Sequence, residues 1–173
     1  QEVRNSSSLK KFYKGKIDYY YFFFHLALNL LKNNGVLNFI TTSYFTTSTA
    51  GNILRKDLKT RGSFLELIDF DELKIFKSAQ GQHNMISTVI KDTENYSCRI
   101  IQTLRKGLNL QDELKNILYN KDVETSYKLT TSDKIFEGKN DYIRLSENVD
   151  TNSDLQNLIL NKISFDSKRL DNY

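Results

Sequence analysis

Few residues in this chain are able to do chemistry. Its 173 residues include one cysteine, Cys98, and two histidines, His25 and His83, far apart in sequence. One thiol leaves no internal disulfide, and the set is too sparse for a zinc site built from His and Cys. Four carboxylates, Glu66, Asp69, Asp71 and Glu72, crowd one short stretch. A pair of carboxylates at suitable separation serves a glycosidase, and a cluster serves a metal nuclease. The simpler reading is solvated charge at the end of a strand. Lys10, Lys11, Lys14 and Lys16 flank Tyr13 and offer contacts to phosphates, or simply keep a surface wet. The most unusual feature is aromatic. Tyr19 to Phe24 are six consecutive rings, more than one buried stripe of a helix requires.

Composition bounds what these residues can serve. Basic and acidic residues, 25 and 21, are interspersed and leave a net charge of +4. That balance permits contact with nucleic acid without demanding it. An apolar fraction of 39% fills a core, but no apolar run reaches the ~18–20 residues that span a bilayer. The opening "QEVRNSSSLKK" lacks the apolar segment of a signal peptide. A soluble intracellular protein is expected. Proline is absent, against an average usage of about 5%, which points to a biased genome or to a piece of something larger.

The elements that must position the rings follow from periodicity. Ile17, Tyr20, Tyr21, Phe24, Leu28 and Leu31 recur at helical spacing, and Phe23, Ala27 and Leu30 widen that face beyond one stripe. The pattern predicts a helix over 17–32, ended by Asn33-Asn34-Gly35 with Gly35 in the left-handed cap position. "VLNFIT" from Val36 reads as a buried parallel strand. A polar loop, a helix in "ILRKDLKTRG", and strands over Phe64–Phe70 and Met85–Ile90 follow. Helix–strand alternation predicts right-handed crossovers in a parallel sheet. The two strands with no helix between them predict an antiparallel hairpin at the sheet's end. Beyond Asp92 the expectations are a strand in "CRIIQTLRKG", a short helix in "LQDELKNILYN", short strands or loop to about residue 145, and a capped helix over 153–163.

In order, "YKGKIDYYYFFFHLALNLLKNNGVLNFITTSYF", "LRKDL", "ELIDFDELKIFKSA" and "MISTVIK" resemble the catalytic domain of adenine-specific DNA methyltransferases. The TaqI-like and Eco57I-like type II restriction-modification enzymes are the nearest in look. The resemblance covers about Phe12 to Lys91 and implies the C-terminal half of a Rossmann-like class I methyltransferase sheet. A mixed α+β connecting segment would follow, leading into a target-recognition domain. The implied division is 1–92 and 93–173. Where the family has Pro-Gly-Gly, this chain has Asn33-Asn34-Gly35. The family's Gly-rich cofactor turn and its Asn-Pro-Pro-Tyr loop are both missing. The loop cannot be present in a chain without proline, and the family's order places it just before Gln1.

The resemblance also gives the rings a purpose. It implies that S-adenosylmethionine is held through an apolar slot for its adenine, with Phe23, Tyr20 and Asp18 at the matching family positions. Plain core packing of Tyr19–Phe24 and helix capping by Asp18 stand beside that reading. It further implies that Phe76 packs against a target adenine flipped from the duplex. His83 and Asn84 face the base or the backbone, since Asn can bond adenine at two points; a polar hairpin loop without a partner is the alternative. No residue here is assigned a catalytic role, because the amine's acceptor belongs to the missing loop. The implied activity is transfer of a methyl group to adenine N6 in double-stranded DNA, in a bacterial cytoplasm. The fragment alone would be inactive, lacking the N-terminal half of its polypeptide. A different class remains open: a non-catalytic α/β module that binds DNA or protein on a methyltransferase-like scaffold.

Overall fold

The computed structural model describes residues 9–13, 17–78, 83–108 and 111–145. The expected helix over 153–163 lies outside them. Helix α1 (Tyr19–Leu30) buries Tyr21, Phe22, Phe24, His25 and Leu28. Spacings of three and four put Tyr21, Phe24, His25 and Leu28 on one face. Phe24 meets Phe39 edge-on, ring centroids 5.1 Å apart, and tilts against Phe45 at 5.5 Å. Tyr19, Phe23 and Leu30 stay exposed on the other face.

The turn after α1 corrects the expectation for Gly35. Asn34 takes the left-handed conformation, with φ of 63°. Asn tolerates it because its short polar side chain bonds locally. Gly35 is needed for room: a Cβ there would lie 2.9 Å from Leu31 Cδ2 and from the Lys32 carbonyl oxygen. The turn is stitched to the chain just after Ile90, which pairs with Val36, with Asn34 N donating to the Lys91 carbonyl and Lys91 N to that of Gly35.

Strand β1 (Val36–Thr42) leads through 3-10 turns at Ser43–Thr46 and Thr49–Gly51 into α2 (Asn52–Arg61). Then come β2 (Ser63–Asp69), β3 (Leu73–Lys74), β4 (Asn84–Ile90), β5 (Ser97–Thr103), β6 (Gly107–Leu108), α3 (Gln111–Leu118) and β7 (Thr125–Thr131). A small hairpin, β8 (Phe136–Glu137) with β9 (Tyr142–Ile143), closes the described chain. The main sheet has the order β1-β4-β2-β5-β7. β4 runs antiparallel to both β1 and β2, and β2 runs parallel to β5. The expected antiparallel hairpin of β2 and β4 is present, but β4 sits inside the sheet, between β1 and β2, rather than at its border. Insertion lets β4 bury Met85, Ser87 and Val89 under the helices, which an edge strand would half expose. β5 and β7 continue the same sheet, so packing runs unbroken past residue 92.

Helices α1 and α2 cover one face of this sheet, where Leu28, Leu54, Leu58, Phe64, Leu67 and Val89 share a core. On the other face Ile117 of α3 packs with Ile68, Phe70, Leu73 and Ile101. Cys98 lies within β5 and is buried in the first core. Among the described residues β1 has one sheet neighbour, so its other edge is open. No described helix is long and apolar enough to cross a membrane.

Candidate functional site

Strands β1, β2 and β5 point the same way, and β4 begins where they end. Their carboxyl ends therefore share a rim: Thr42 lies opposite Asn84, and Asp69 is paired with Met85 and Gln102. Open α/β sheets bind ligands outside this rim. A cavity of about 520 Å³ opens at the β1 end of it, within the range of small-molecule sites. Asp18 and Tyr20 from the start of α1, and Phe76 and Asn84 from the β3–β4 region, all line it. Four of the six residues singled out in the sequence thus converge, from segments some sixty residues apart. An apolar groove of about 550 Å³, lined in part by Phe23, Ala27, Leu30 and Phe39, adjoins it and shares Tyr20, Ile40 and Thr41. Phe23, 59% exposed, belongs to that groove.

Each member is held by local structure. Tyr20 Oη donates to the Thr42 carbonyl at 3.3 Å and accepts from Thr42 Oγ1 at 3.1 Å. Burial pushes its pKa well up, only partly offset by the Thr42 hydrogen bond, so the phenol stays protonated. Asp18 occupies the N-cap position of α1, its carbonyl accepting from Tyr21 N at 3.1 Å, while its carboxylate makes no capping bond. Asn84 is 4% exposed and Phe76 44% exposed. His83 does not line the cavity. It stands behind Tyr44, ring centroids 6.4 Å apart, and its Nδ1 lies 3.1 Å from Asp71 Oδ1.

Tyr44, Thr41 and Thr42 line the cavity without having been singled out. Their signal was positional: "TTSYF" spans the carboxyl end of β1 and the turn after it, the ligand-binding end of such sheets. The carboxylates near β2 do not form a catalytic set. Glu66 pairs with Arg99, Glu72 with Lys106 at 2.9 Å, and Asp71 with His83. Asp69 accepts from Asp71 N at 3.2 Å, and burial raises its pKa. Among the described residues no group of three His, Cys, Asp or Glu could hold a metal ion. Lys10 and Lys11 are exposed, Lys11 lying over the Phe12 ring; Lys14 and Lys16 fall outside the described residues.

Comparison with known proteins bears out the resemblance. Residues 2–76 match the family model described as Eco57I restriction-modification methylase. The type II methyltransferase M.HincII of Haemophilus influenzae is 33% identical over 90 residues, 52% of this chain and 17% of the relative. M.HindII, from strain Rd of that species, is 33% identical over 90 residues, 52% of this chain and 16% of the relative. The chain thus spans about one sixth of the length of the curated relatives it matches. Among solved structures, the M protein of the type I restriction enzyme EcoKI matches with a TM-score of 0.53 and 11% identity, over 86% of this chain and 43% of that one. The type IIG restriction endonuclease BpuSI matches with a TM-score of 0.53 and 11% identity, over 77% and 16%. At such identity the likeness is one of fold: the mixed α/β sheet of class I-like restriction-modification methyltransferases.

Proposed function

We propose that this chain is the trailing part of the catalytic domain of a type II restriction-modification DNA methyltransferase acting on adenine N6. The observation that carries the reading is the single cavity at the carboxyl end of β1, which gathers Asp18 and Tyr20 with Phe76 and Asn84. Residues 1–92 carry the catalytic half, and 93–173, whose strands β5 and β7 continue the same sheet, lead on toward target recognition. The double-stranded DNA partner and a place in the bacterial cytoplasm follow from the same reading.

The residues present fit a nucleoside-bearing cofactor. Tyr20, Phe23 and Ile40 offer apolar faces, while the Thr41 and Thr42 hydroxyls and the Asp18 carboxylate offer polar contacts. S-adenosylmethionine supplies an electrophilic methyl group when bound. Tyr20, tethered to Thr42, fixes the wall that orients the ligand. Phe76 supports a flipped adenine by stacking, Asn84 reads its edge, and His83 backs the wall. Holding two reactants in line accounts for much of the rate in a direct transfer. An acceptor for the amine's protons is still required, and it lies in the upstream part of the polypeptide.

That upstream part has a place to pack. Val36 and Ile40 are about half exposed along the open edge of β1, beside the exposed Phe23 and Leu30 of α1. An open edge rimmed with apolar side chains supports pairing with a further strand. The chain alone is accordingly inactive. Isothermal titration of the 173-residue chain is expected to show no binding of S-adenosylmethionine at micromolar concentrations. In the longer polypeptide Phe76→Ala lowers kcat/KM for DNA by about 10- to 100-fold, the scale of a lost base stack. Tight cofactor binding by the chain alone, or normal methylation by the Phe76 variant, contradicts the proposal.

A further inference from the structure

We infer that Tyr44 is a second stacking wall of this cavity, so that a planar base lodged against Phe76 is held against Tyr44 as well. The inference rests on the reading of the cavity as a base pocket and adds a binding residue to it. Tyr44 is 46% exposed and Phe76 44% exposed, and both line the same cavity. They come from different segments, Tyr44 from the turn after β1 and Phe76 from the stretch after β3.

Exposure of a ring in a loose loop carries little meaning, but the turn that carries Tyr44 is held from every side. Ser43 N donates to the His83 carbonyl at 2.9 Å, and Thr46 Oγ1 to the Ser43 carbonyl at 2.7 Å. Ser48 N donates to the Tyr44 carbonyl at 2.9 Å. Phe45 is wholly buried, and its carbonyl accepts from Arg55 Nη1 at 2.7 Å. With Phe45 committed to the core, Tyr44 is left on the outer side of the turn, where it lines the cavity. The His83 ring, paired with Asp71, stands edge-on to it and limits its swing. A half-exposed aromatic ring on a rigid backbone, facing a polar floor of Asn84 and Thr42, is suited to a flat ligand. It presents a large surface at small entropic cost.

The test uses the full-length polypeptide and long unmethylated duplex DNA. Tyr44→Ala, Tyr44→Phe, Tyr44→Trp and Phe76→Ala are compared for kcat/KM, for S-adenosylmethionine affinity and for urea midpoint. Tyr44→Ala is expected to lose about 10- to 100-fold in kcat/KM with cofactor affinity and midpoint kept. Tyr44→Phe and Tyr44→Trp, which keep a ring, stay within about 3-fold. Wild-type kinetics for Tyr44→Ala beside an impaired Phe76→Ala overturn the role of Tyr44 and leave the base pocket standing. Loss in Tyr44→Phe equal to that in Tyr44→Ala shows that the hydroxyl matters rather than the ring, and also overturns it. Wild-type kinetics in both alanine variants, or no methylation by the wild type, overturn the base-pocket reading and this inference with it.

Discussion

Arg55 offers the sharpest test of how the site is built. It is the largest fully buried side chain, and its described partners are backbone carbonyls. Nη1 donates to Phe45 O and Ser48 O at 2.7 Å each, while Nε and Nη2 donate to Asn140 O at 3.1 and 3.0 Å. The guanidinium also sits 4.8 Å from the centre of the Tyr142 ring. One side chain thus ties α2 to the turn carrying Tyr44 and to the β8–β9 hairpin. Burial draws its pKa down, yet Arg remains charged. Replacing it with Met keeps most of the apolar stem and strips the Phe45 and Asn140 carbonyls of their described donors, while the Ser48 carbonyl loses one donor and keeps Gly51 N at 3.1 Å. A buried group left unsatisfied costs ~1–3 kcal/mol. The Phe45 bond is wholly buried and the other two partly so, which gives a total of about 3–5 kcal/mol. Lys carries a single ammonium and cannot reach both sides, so Arg55→Lys recovers only part, costing about 2 kcal/mol. Urea unfolding followed by far-UV circular dichroism measures both, with an unchanged slope marking a change in stability alone. An Arg55→Met protein within 1 kcal/mol of wild type would refute the clamp.

Other consequences follow from buried groups. Asp57 accepts from His25 Nδ1 at 2.6 Å and from Arg61 Nε at 2.8 Å; burial pushes its pKa up, but these bonds outweigh it and hold the carboxyl below its usual value. A depressed carboxyl stabilises the fold above its unfolded value, near 3.9, and loses that contribution as pH falls through the folded value. Asp57→Asn therefore costs about 2–4 kcal/mol at pH 7, and its deficit against wild type shrinks below about pH 4 in urea titrations at several pH values; a constant deficit refutes the linkage. Burial, with Glu66 nearby, pushes the Cys98 thiol up to about 12, so disulfide reagents at pH 8 should label it only as the protein unfolds. Ser87 Oγ is buried and has no hydrogen-bond partner among the described residues; Ser87→Ala is expected to be neutral or to stabilise by up to about 1 kcal/mol, and a loss above 1 kcal/mol on thermal unfolding would reveal a partner. Leu30→Asp, at a position 77% exposed, leaves the chain within about 0.5 kcal/mol of wild type but abolishes complementation in trans by the upstream half.

What was legible in the sequence was local. The spacing of Tyr21, Phe24 and Leu28 gave α1, Leu54 and Leu58 gave α2, and the apolar run after Gly35 gave β1 as a strand, though not as the buried parallel one expected: its one described neighbour, β4, runs antiparallel, and Val36 and Ile40 are about half exposed. The resemblance gave Asp18 and Tyr20 to the cofactor and Phe76 and Asn84 to the base; that the four line one cavity is encoded by no periodicity. Non-local geometry was not legible. The β2–β4 hairpin was visible as two strands without a helix between them, but its insertion against β1 depends on the Val36–Ile90 to Thr42–Asn84 register, which no local pattern encodes. Arg55 reads in sequence as a helix-surface cation. Only the fold brings the carbonyls of Phe45, Ser48 and Asn140 around it. Asn34 and Gly35 exchanged their expected roles because the space beside Leu31, not the dihedral alone, decides which of them must lack a Cβ.

The central claim is tested most directly by the product. The longer polypeptide proposed here is incubated with duplex DNA and methyl-labelled S-adenosylmethionine, and the DNA is digested to nucleosides. Label in N6-methyl-2'-deoxyadenosine, lost on heating the protein past unfolding, is the predicted result. Label in a methylated cytosine, or no transfer by a folded protein, would contradict it.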